Sequence, residues 1–317
     1  MKIVIPGGTG QVGSLLARQL IVEGHEVVVL SRTIRPAPWR VVAWDGTTLG
    51  AWISEIDGAD VVVNLAGRSV NCRYTPANRR EITESRVKST AIIGRAMVIA
   101  TRPPPLWLQM STATIYAHRF DAANDESTGI LGGNEPDAPD TWRFSIDVAR
   151  AWEQAVTDQD LPRTRKVLLR TAMVMSPDRG GVFDTLYTLT RFGLGGAIAG
   201  GRQFMSWIHE QDFVRAIQWL ISHDELSGPV NLAAPNPIPQ AEFMQCLRHA
   251  SGTRLGMTAT AWMLEIGTFL MRTESELIMK SRRVVPGRLL QSGFNFDYPE
   301  WGPAAIELCR RRMAGRL

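Results

Sequence analysis

Cysteine is scarce in this chain. Cys72, Cys246 and Cys309 are the only three, and none has metal-ligand or paired spacing. That excludes a disulfide scaffold and a zinc site, so no metal is expected and a reducing, cytoplasmic setting is. Tyrosine and lysine are also thin: Tyr74, Tyr116, Tyr187 and Tyr298, against Lys2, Lys88, Lys166 and Lys280. No apolar run is long enough to span a bilayer, so no membrane partner is expected. The first strand begins at once, so no signal peptide is expected ahead of it. The net charge of +4 is modest. Its basic residues are scattered rather than set in one stripe with aromatics, so nucleic acid is not an expected partner. Repeats and low-complexity segments are absent. What is present is ordinary for a globular protein: 317 residues, 44% hydrophobic, enough for one large core or two smaller ones.

The richest information lies in the first thirteen residues. Lys2 to Ile5 read as a buried strand, and Gly7, Gly10 and Gly13 follow at G-x-x-G-x-x-G spacing. Ser14 to Glu23 continue as an amphipathic helix stopped by Gly24. Strand, glycine turn and helix make a place for a pyrophosphate. Glycines let the backbone approach the phosphates, and the helix N-terminus supplies free N–H groups and a positive dipole end. Thr9, Gln11 and Val12 share that turn and are expected at the cofactor with the glycines.

The next strand, Glu26 to Leu30, ends in Ser31-Arg32, with Arg35 beyond. An NAD site usually places a carboxylate there for the ribose 2′-hydroxyl. None is present, and a guanidinium can pair with a 2′-phosphate or stack on adenine. NADP(H) is therefore the expected cofactor, with a solvated surface arginine as the alternative for Arg32.

Strands and helices then alternate. Further strands are expected at 40–44, 61–65, 106–111 and 165–170, with long helices over about 76–100 and 140–158. The alternation implies an α/β fold: a Rossmann-type doubly wound, largely parallel sheet. Ligands in such sheets sit beyond the carboxyl ends of the strands. That singles out Gly7–Gly13, Ser31-Arg32, Asp45, Leu65-Ala66-Gly67, Ser111–Tyr116 and Thr171–Ser176. The nucleotide-binding domain is expected over 1–175, with 207–233 returning to it. A smaller, mainly helical lobe over 176–206 and 234–317 is expected to cover the cleft. Cys309-Arg-Arg-Arg312 reads as the solvated end of a helix.

The glycine turn, Asn64-Leu-Ala-Gly67 and Ser111-Thr-Ala-Thr-Ile-Tyr116 together resemble the extended short-chain dehydrogenases/reductases, the epimerase/dehydratase group. A narrower resemblance covers nearly the whole chain. Ser31-Arg32, Glu81-Ile-Thr-Glu-Ser-Arg86, Met205-Ser-Trp-Ile-His209 and Gly228-Pro-Val-Asn231 look like the atypical "epimerase family" branch. Val284 to Phe294 resembles the small domain of unknown function that ends those proteins, here at about 255–304. The resemblance implies an NADP site along Ser31, Arg32, Leu65, Ala66, Glu81, Arg86 and Val174, and an oxidoreductase or epimerase-like activity. Related folds often dimerise through the two long helices, so a homodimer is a possible assembly.

Working members of the superfamily use a Ser or Thr hydroxyl, a Tyr and a Lys that lowers the Tyr pKa. Thr112 takes the hydroxyl position beside Ser111, either polarising a substrate oxygen or bonding the turn backbone. Tyr-x-x-x-Lys is absent. By register with Ala151-Trp-Glu153 the two positions fall near Ser145 and Ala149, and neither can do that work. Replacement groups are open. Tyr116 can turn to the cleft or pack behind its strand. His209 can titrate near neutrality or cap the next helix. Arg202, with Trp207 and His209, can meet a small-molecule substrate of unknown identity. Two functions follow: an NADP(H)-dependent oxidoreductase or epimerase-like enzyme, or an NADP(H)-sensing protein that acts through a partner without turnover.

Overall fold

The computed structural model describes residues 1–136, 138–260 and 276–315. Within the stretch expected at 255–304 as the C-terminal domain, residues 261–275 lie outside them.

The first half alternates as its patterning dictates. Strand β1 (Lys2–Pro6) leads into helix α1 (Gln11–Val22), then β2 (Glu26–Ser31), β3 (Arg40–Ala43) and a single helical turn α2 (Ile53–Ile56). Strand β4 (Val61–Asn64), helix α3 (Pro76–Ile99), β5 (Leu106–Thr112), helix α4 (Asp140–Thr157) and β6 (Arg165–Thr171) follow. Thr75 caps α3 by accepting a hydrogen bond from Asn78 N at 3.3 Å, with Pro76 in the first turn where its missing N–H costs nothing.

Strands β7 (Met173–Met175), β8 (Phe204–Met205), β9 (Trp207–His209), β10 (Gly228–Leu232) and β11 (Ile238–Pro239) complete the set. The main sheet has seven parallel strands in the order β10-β6-β5-β4-β1-β2-β3. Strand alternation fills both of its faces. Ile3 and Ile5 of β1 and Val27 and Val29 of β2 face α1 and α6 (Glu210–Ser222), whose Leu16, Leu20, Phe213 and Ile217 are wholly buried. Val4, Val28 and Leu30 face the other way, onto Ile92, Ile93, Ala96 and Met97 of α3. This three-layer packing buries each strand on both sides, as a parallel sheet requires.

Beyond β7 the chain is more ordered than its sequence suggests. Helix α5 (Val182–Arg191) and α7 (Gln240–Ala250) pack with the C-terminal helix Trp301–Ala314 around a third core. Trp301 stacks on Phe243 at 3.9 Å, and its indole N–H donates to Phe243 O at 2.9 Å. Of the three arginines near the chain end, Arg310 is exposed as expected, whereas Arg311 pairs with Glu210 and Arg312 with Asp184. No helix among the described residues is long and apolar enough to cross a membrane.

Candidate cofactor and substrate cleft

The glycines of the first turn differ in what surrounds them. Gly7 has φ +75°, and its N–H donates to Leu30 O at 2.9 Å. A Cβ there would lie 2.6 Å from Ala66 Cα, so Gly7 lets the β1 turn meet the end of β4. At Gly13 a Cβ would lie 2.5 Å from Gly8 Cα, so this glycine lets α1 pack against the turn. Gly10 is different. A Cβ there would meet only Gly7 O, at 3.9 Å. Gly10 therefore opens onto free space at the helix N-terminus, where a phosphate can approach. Beside it Gln11 Nε2 is buried and has no hydrogen-bond partner among the described residues. A buried amide left so is costly and calls for an acceptor from outside the chain. Cradle and orphan donor together fit a dinucleotide pyrophosphate.

At the end of β2, Ser31 is buried and closes a local turn, donating to Thr33 O at 2.9 Å and accepting from Thr33 N at 3.1 Å. Thr9 Oγ1 lies 3.5 Å from Ser31 Oγ, which ties the glycine turn to this strand end. Arg32 and Arg35 are exposed, and no hydrogen bond or ion pair engages either among the described residues.

A cleft of about 420 Å³ runs from the glycine turn across the ends of β4, β5 and β6. Gly7, Gly10, Gln11, Val12, Gly13, Leu65, Gly67, Arg86, Ser111, Thr112 and Val174 line it together. Its far wall is apolar, made by Val70, Tyr74, Ile82, Phe144, Val148 and Trp152 between α3 and α4. Arg86 lies over the Trp152 ring at 4.8 Å and donates to Ile82 O at 3.0 Å. Burial lowers its pKa to about 10, which still leaves a cation in the cleft wall at neutral pH. Gly67 permits this, because a Cβ there would crowd the guanidinium at 3.2 Å. Thr112 Oγ1 accepts from Thr114 N at 3.2 Å and borders the cleft.

Behind β5 a buried network fixes the strand ends. Arg170 of β6 holds Glu153 of α4 with two bonds, at 2.9 and 2.8 Å. Burial alone would lower the Arg170 pKa, and the two bonds it donates to the Glu153 carboxylate raise it instead. Ser111 Oγ donates to Glu153 at 2.6 Å. Tyr116 does not turn to the cleft. Its ring is 2% exposed, its hydroxyl accepts from Arg170 Nη1 at 3.0 Å, and it donates to Asn231 Oδ1 at 2.9 Å. Burial pushes the phenol above its usual pKa. The proton is thus held in a structural network, which corrects the expectation of a cleft acid.

The expected substrate contacts of Trp207, His209 and Arg202 are corrected too, while the capping alternative for His209 holds. Trp207 is fully buried in the third core, 5.0 Å from Trp301. His209 is fully buried and caps α6: its Nδ1 accepts from Gln211 N at 3.2 Å, while Nε2 meets Glu307 at 3.0 Å. Neither borders the cleft, nor does the exposed Arg202. Glu81 is exposed on α3 and paired with Arg68, outside the cleft lining. Ser145 does border it, one helical turn from the buried Ala149.

The sequence reading missed two groups. The Glu153–Arg170 pair had a signal, since an arginine in the apolar strand Val167-Leu-Leu-Arg-Thr needs a buried partner. Glu276 had none. It belongs to the short helix Glu276–Met279, is 1% exposed, and borders the cleft opposite Ser145. Its Oε2 accepts from Ser145 Oγ at 3.0 Å and its Oε1 from Arg282 Nη2 at 3.0 Å.

Comparison with known proteins agrees with this geometry. The model of the NAD dependent epimerase/dehydratase family matches residues 3–233, and that of a domain of unknown function, DUF1731, matches residues 259–308. Human epimerase family protein SDR39U1 is 30% identical over 313 residues, covering 97% of this chain and 99% of that one. Bacillus subtilis epimerase family protein YfhF is 27% identical over 322 residues, covering 98% and 99%. The crystal structure of human SDR39U1 (isoform 2) with NADPH superposes with a TM-score of 0.85 at 27% identity, over 98% and 99% of the two chains. A nucleoside-diphosphate sugar epimerase from Corynebacterium glutamicum superposes at 0.75 and 29% identity, over 98% of this chain and 58% of that one.

Proposed function

Because the chain belongs to the NAD dependent epimerase/dehydratase family, we propose that it is an atypical short-chain dehydrogenase/reductase. It binds NADP(H) and acts as an oxidoreductase or epimerase-like enzyme on a small carbonyl or hydroxyl compound. The observation that carries the cofactor reading is the pairing of an open phosphate cradle at Gly10 with uncommitted arginines at the β2 end. The NADPH in the human relative's structure supports it. When bound, the nicotinamide gives or takes hydride. Gly10 and Gln11 hold the pyrophosphate, Arg86 adds positive charge to the cleft wall, and Arg32 meets the 2′-phosphate. Thr112, at the end of β5 in the cleft lining, is the hydroxyl that would polarise a substrate oxygen. The apolar wall formed by Tyr74, Phe144 and Trp152 suits a substrate with an apolar face.

Arg32→Ala tests the cofactor reading by fluorescence titration with NADPH and NADH. NADPH affinity should fall about tenfold or more, the value of a charge-assisted bond, with NADH affinity little changed. Equal weakening of both rejects the 2′-phosphate role. A second reading rests on the family resemblance: by register Ser145 and Ala149 fall near the positions of its Tyr and Lys, which favours a sensor without turnover. NADPH oxidation by a panel of aldehydes, ketones and quinones separates the two. Turnover that drops in Thr112→Ala supports the enzyme, and tight binding without turnover supports the sensor.

A further inference from the structure

Hydride transfer to or from a carbonyl carbon moves a proton at its oxygen, and the side chains at positions 145 and 149 cannot hold that proton alone. Among the described residues lining the cleft, Glu276 is the one carboxylate. We propose that Glu276, carried into the cleft by the region matching the domain of unknown function, is the proton acceptor for hydride transfer, with Ser145 Oγ as the relay. The inference rests on the NADP(H) reading and assigns that region a role in the reaction.

The geometry favours a chemical role over a purely structural one. Arg282 fixes one oxygen of Glu276 at 3.0 Å and anchors itself through Nε to Thr114 Oγ1 at 3.1 Å. The second oxygen takes its hydrogen bond from Ser145, a residue that itself borders the cleft. The glycine turn places the pyrophosphate over β1, and Ser31-Arg32 places the adenosine end over β2. The nicotinamide end must then extend the other way, toward β5 and β6, where Thr112, Thr114, Ser145 and Glu276 meet. The charged groups facing Glu276 are Arg282 and Lys280. Behind them lie Glu135 and His118 of the loop after β5, and α4 contributes Ser145. Lys280 is buried, donates to Thr114 O at 2.7 Å, and has its pKa lowered to about 8 by burial and by Arg282.

In the oxidising direction the substrate O–H bond breaks and its proton passes to Ser145 Oγ. The proton already on Ser145 passes to Glu276 Oε2. The carbon–hydrogen bond breaks with its electron pair, which leaves as hydride to the oxidised nicotinamide dinucleotide, and a carbonyl remains. Reduction runs the same transfers backward.

The test needs no substrate. The oxidised nicotinamide ring carries a positive charge that the reduced ring lacks, so a carboxylate beside it favours NADP⁺ over NADPH. Both nucleotides are titrated into wild type and Glu276→Gln by intrinsic fluorescence at pH 7. The ratio of NADP⁺ to NADPH affinity should fall about tenfold in the variant at pH 7. An unchanged ratio in a folded Glu276→Gln protein overturns the proposal. If that variant does not fold, Glu276→Asp carries the test. Aspartate keeps the charge but draws it back from the ring by one methylene, so the ratio should fall about two- to threefold, and an unchanged ratio overturns the proposal. If neither nucleotide binds wild type, the NADP(H) reading itself has failed, and this inference with it.

Discussion

A methyl group added at Gly10 and one added at Gly13 should have opposite consequences, although the two glycines lie in one turn. At Gly13 the new Cβ meets Gly8 Cα at 2.5 Å, backbone that cannot swing aside. Gly13→Ala should cost about 1–3 kcal/mol of stability, the usual cost of overpacking, visible as a lowered Tm. At Gly10 the Cβ meets nothing nearer than Gly7 O at 3.9 Å, and φ is −72°, which alanine adopts freely. Gly10→Ala should leave Tm within a few degrees while NADPH affinity falls at least tenfold, because the methyl stands where the phosphate must come. Equal effects of the two changes on Tm would show that the cradle is not where the geometry puts it. The spacing of these glycines was legible in the sequence. Which one faces the ligand was not, because that depends on how close Gly8 and Ala66 come in space.

The elements around the sheet are held in register by buried polar bonds as much as by apolar packing. The Arg170–Glu153 pair joins β6 to α4, and Tyr116 extends it through Asn231 to β10. Replacing Arg170 with methionine leaves the Glu153 carboxylate buried without its partner. That should cost about 3–5 kcal/mol, measured by urea unfolding. Tyr116→Phe removes only a neutral hydroxyl from the same network. It should cost about 1–2 kcal/mol and leave NADPH affinity unchanged, since the ring does not border the cleft. A binding defect in a stable Tyr116→Phe protein would contradict that placement. The strands and long helices here were readable because each is locally encoded. β1, β2 and β4 are short apolar runs, and α3 opens on Thr75-Pro76. The roles of Tyr116, Trp207 and His209 were not readable. Each depends on a partner 54 to 115 positions away, namely Arg170 and Asn231, Trp301, and Glu307.

At the scale of the whole molecule the C-terminal region is bound back onto the sheet domain at several points. Asn124 N donates to Arg283 O at 2.7 Å, Asp212 accepts from the N–H groups of Asp297 and Tyr298, and His209 meets Glu307 on the last helix. The region matched as a domain of unknown function is thus anchored to the loop after β5, to β9 and to α6, and its Lys280 reaches Thr114 O beside the cleft. His209 gives this junction a pH dependence. Burial lowers its pKa, and the Glu307 carboxylate opposes that shift without cancelling it. A histidine whose folded pKa lies below its unfolded value of about 6.5 takes up its proton in the unfolded chain first. The stability it contributes is thus full above pH 6.5 and is lost as the pH falls through that value toward the folded pKa. Asparagine in its place can still accept from Gln211 N and cap α6 but cannot titrate. The stability of wild type relative to His209→Asn should hold constant above about pH 7 and shrink steadily between pH 6.5 and 5. A gap that widens on acidification would mean that the imidazolium–Glu307 attraction outweighs burial. The junction would then be held by charge rather than by the exclusion of water.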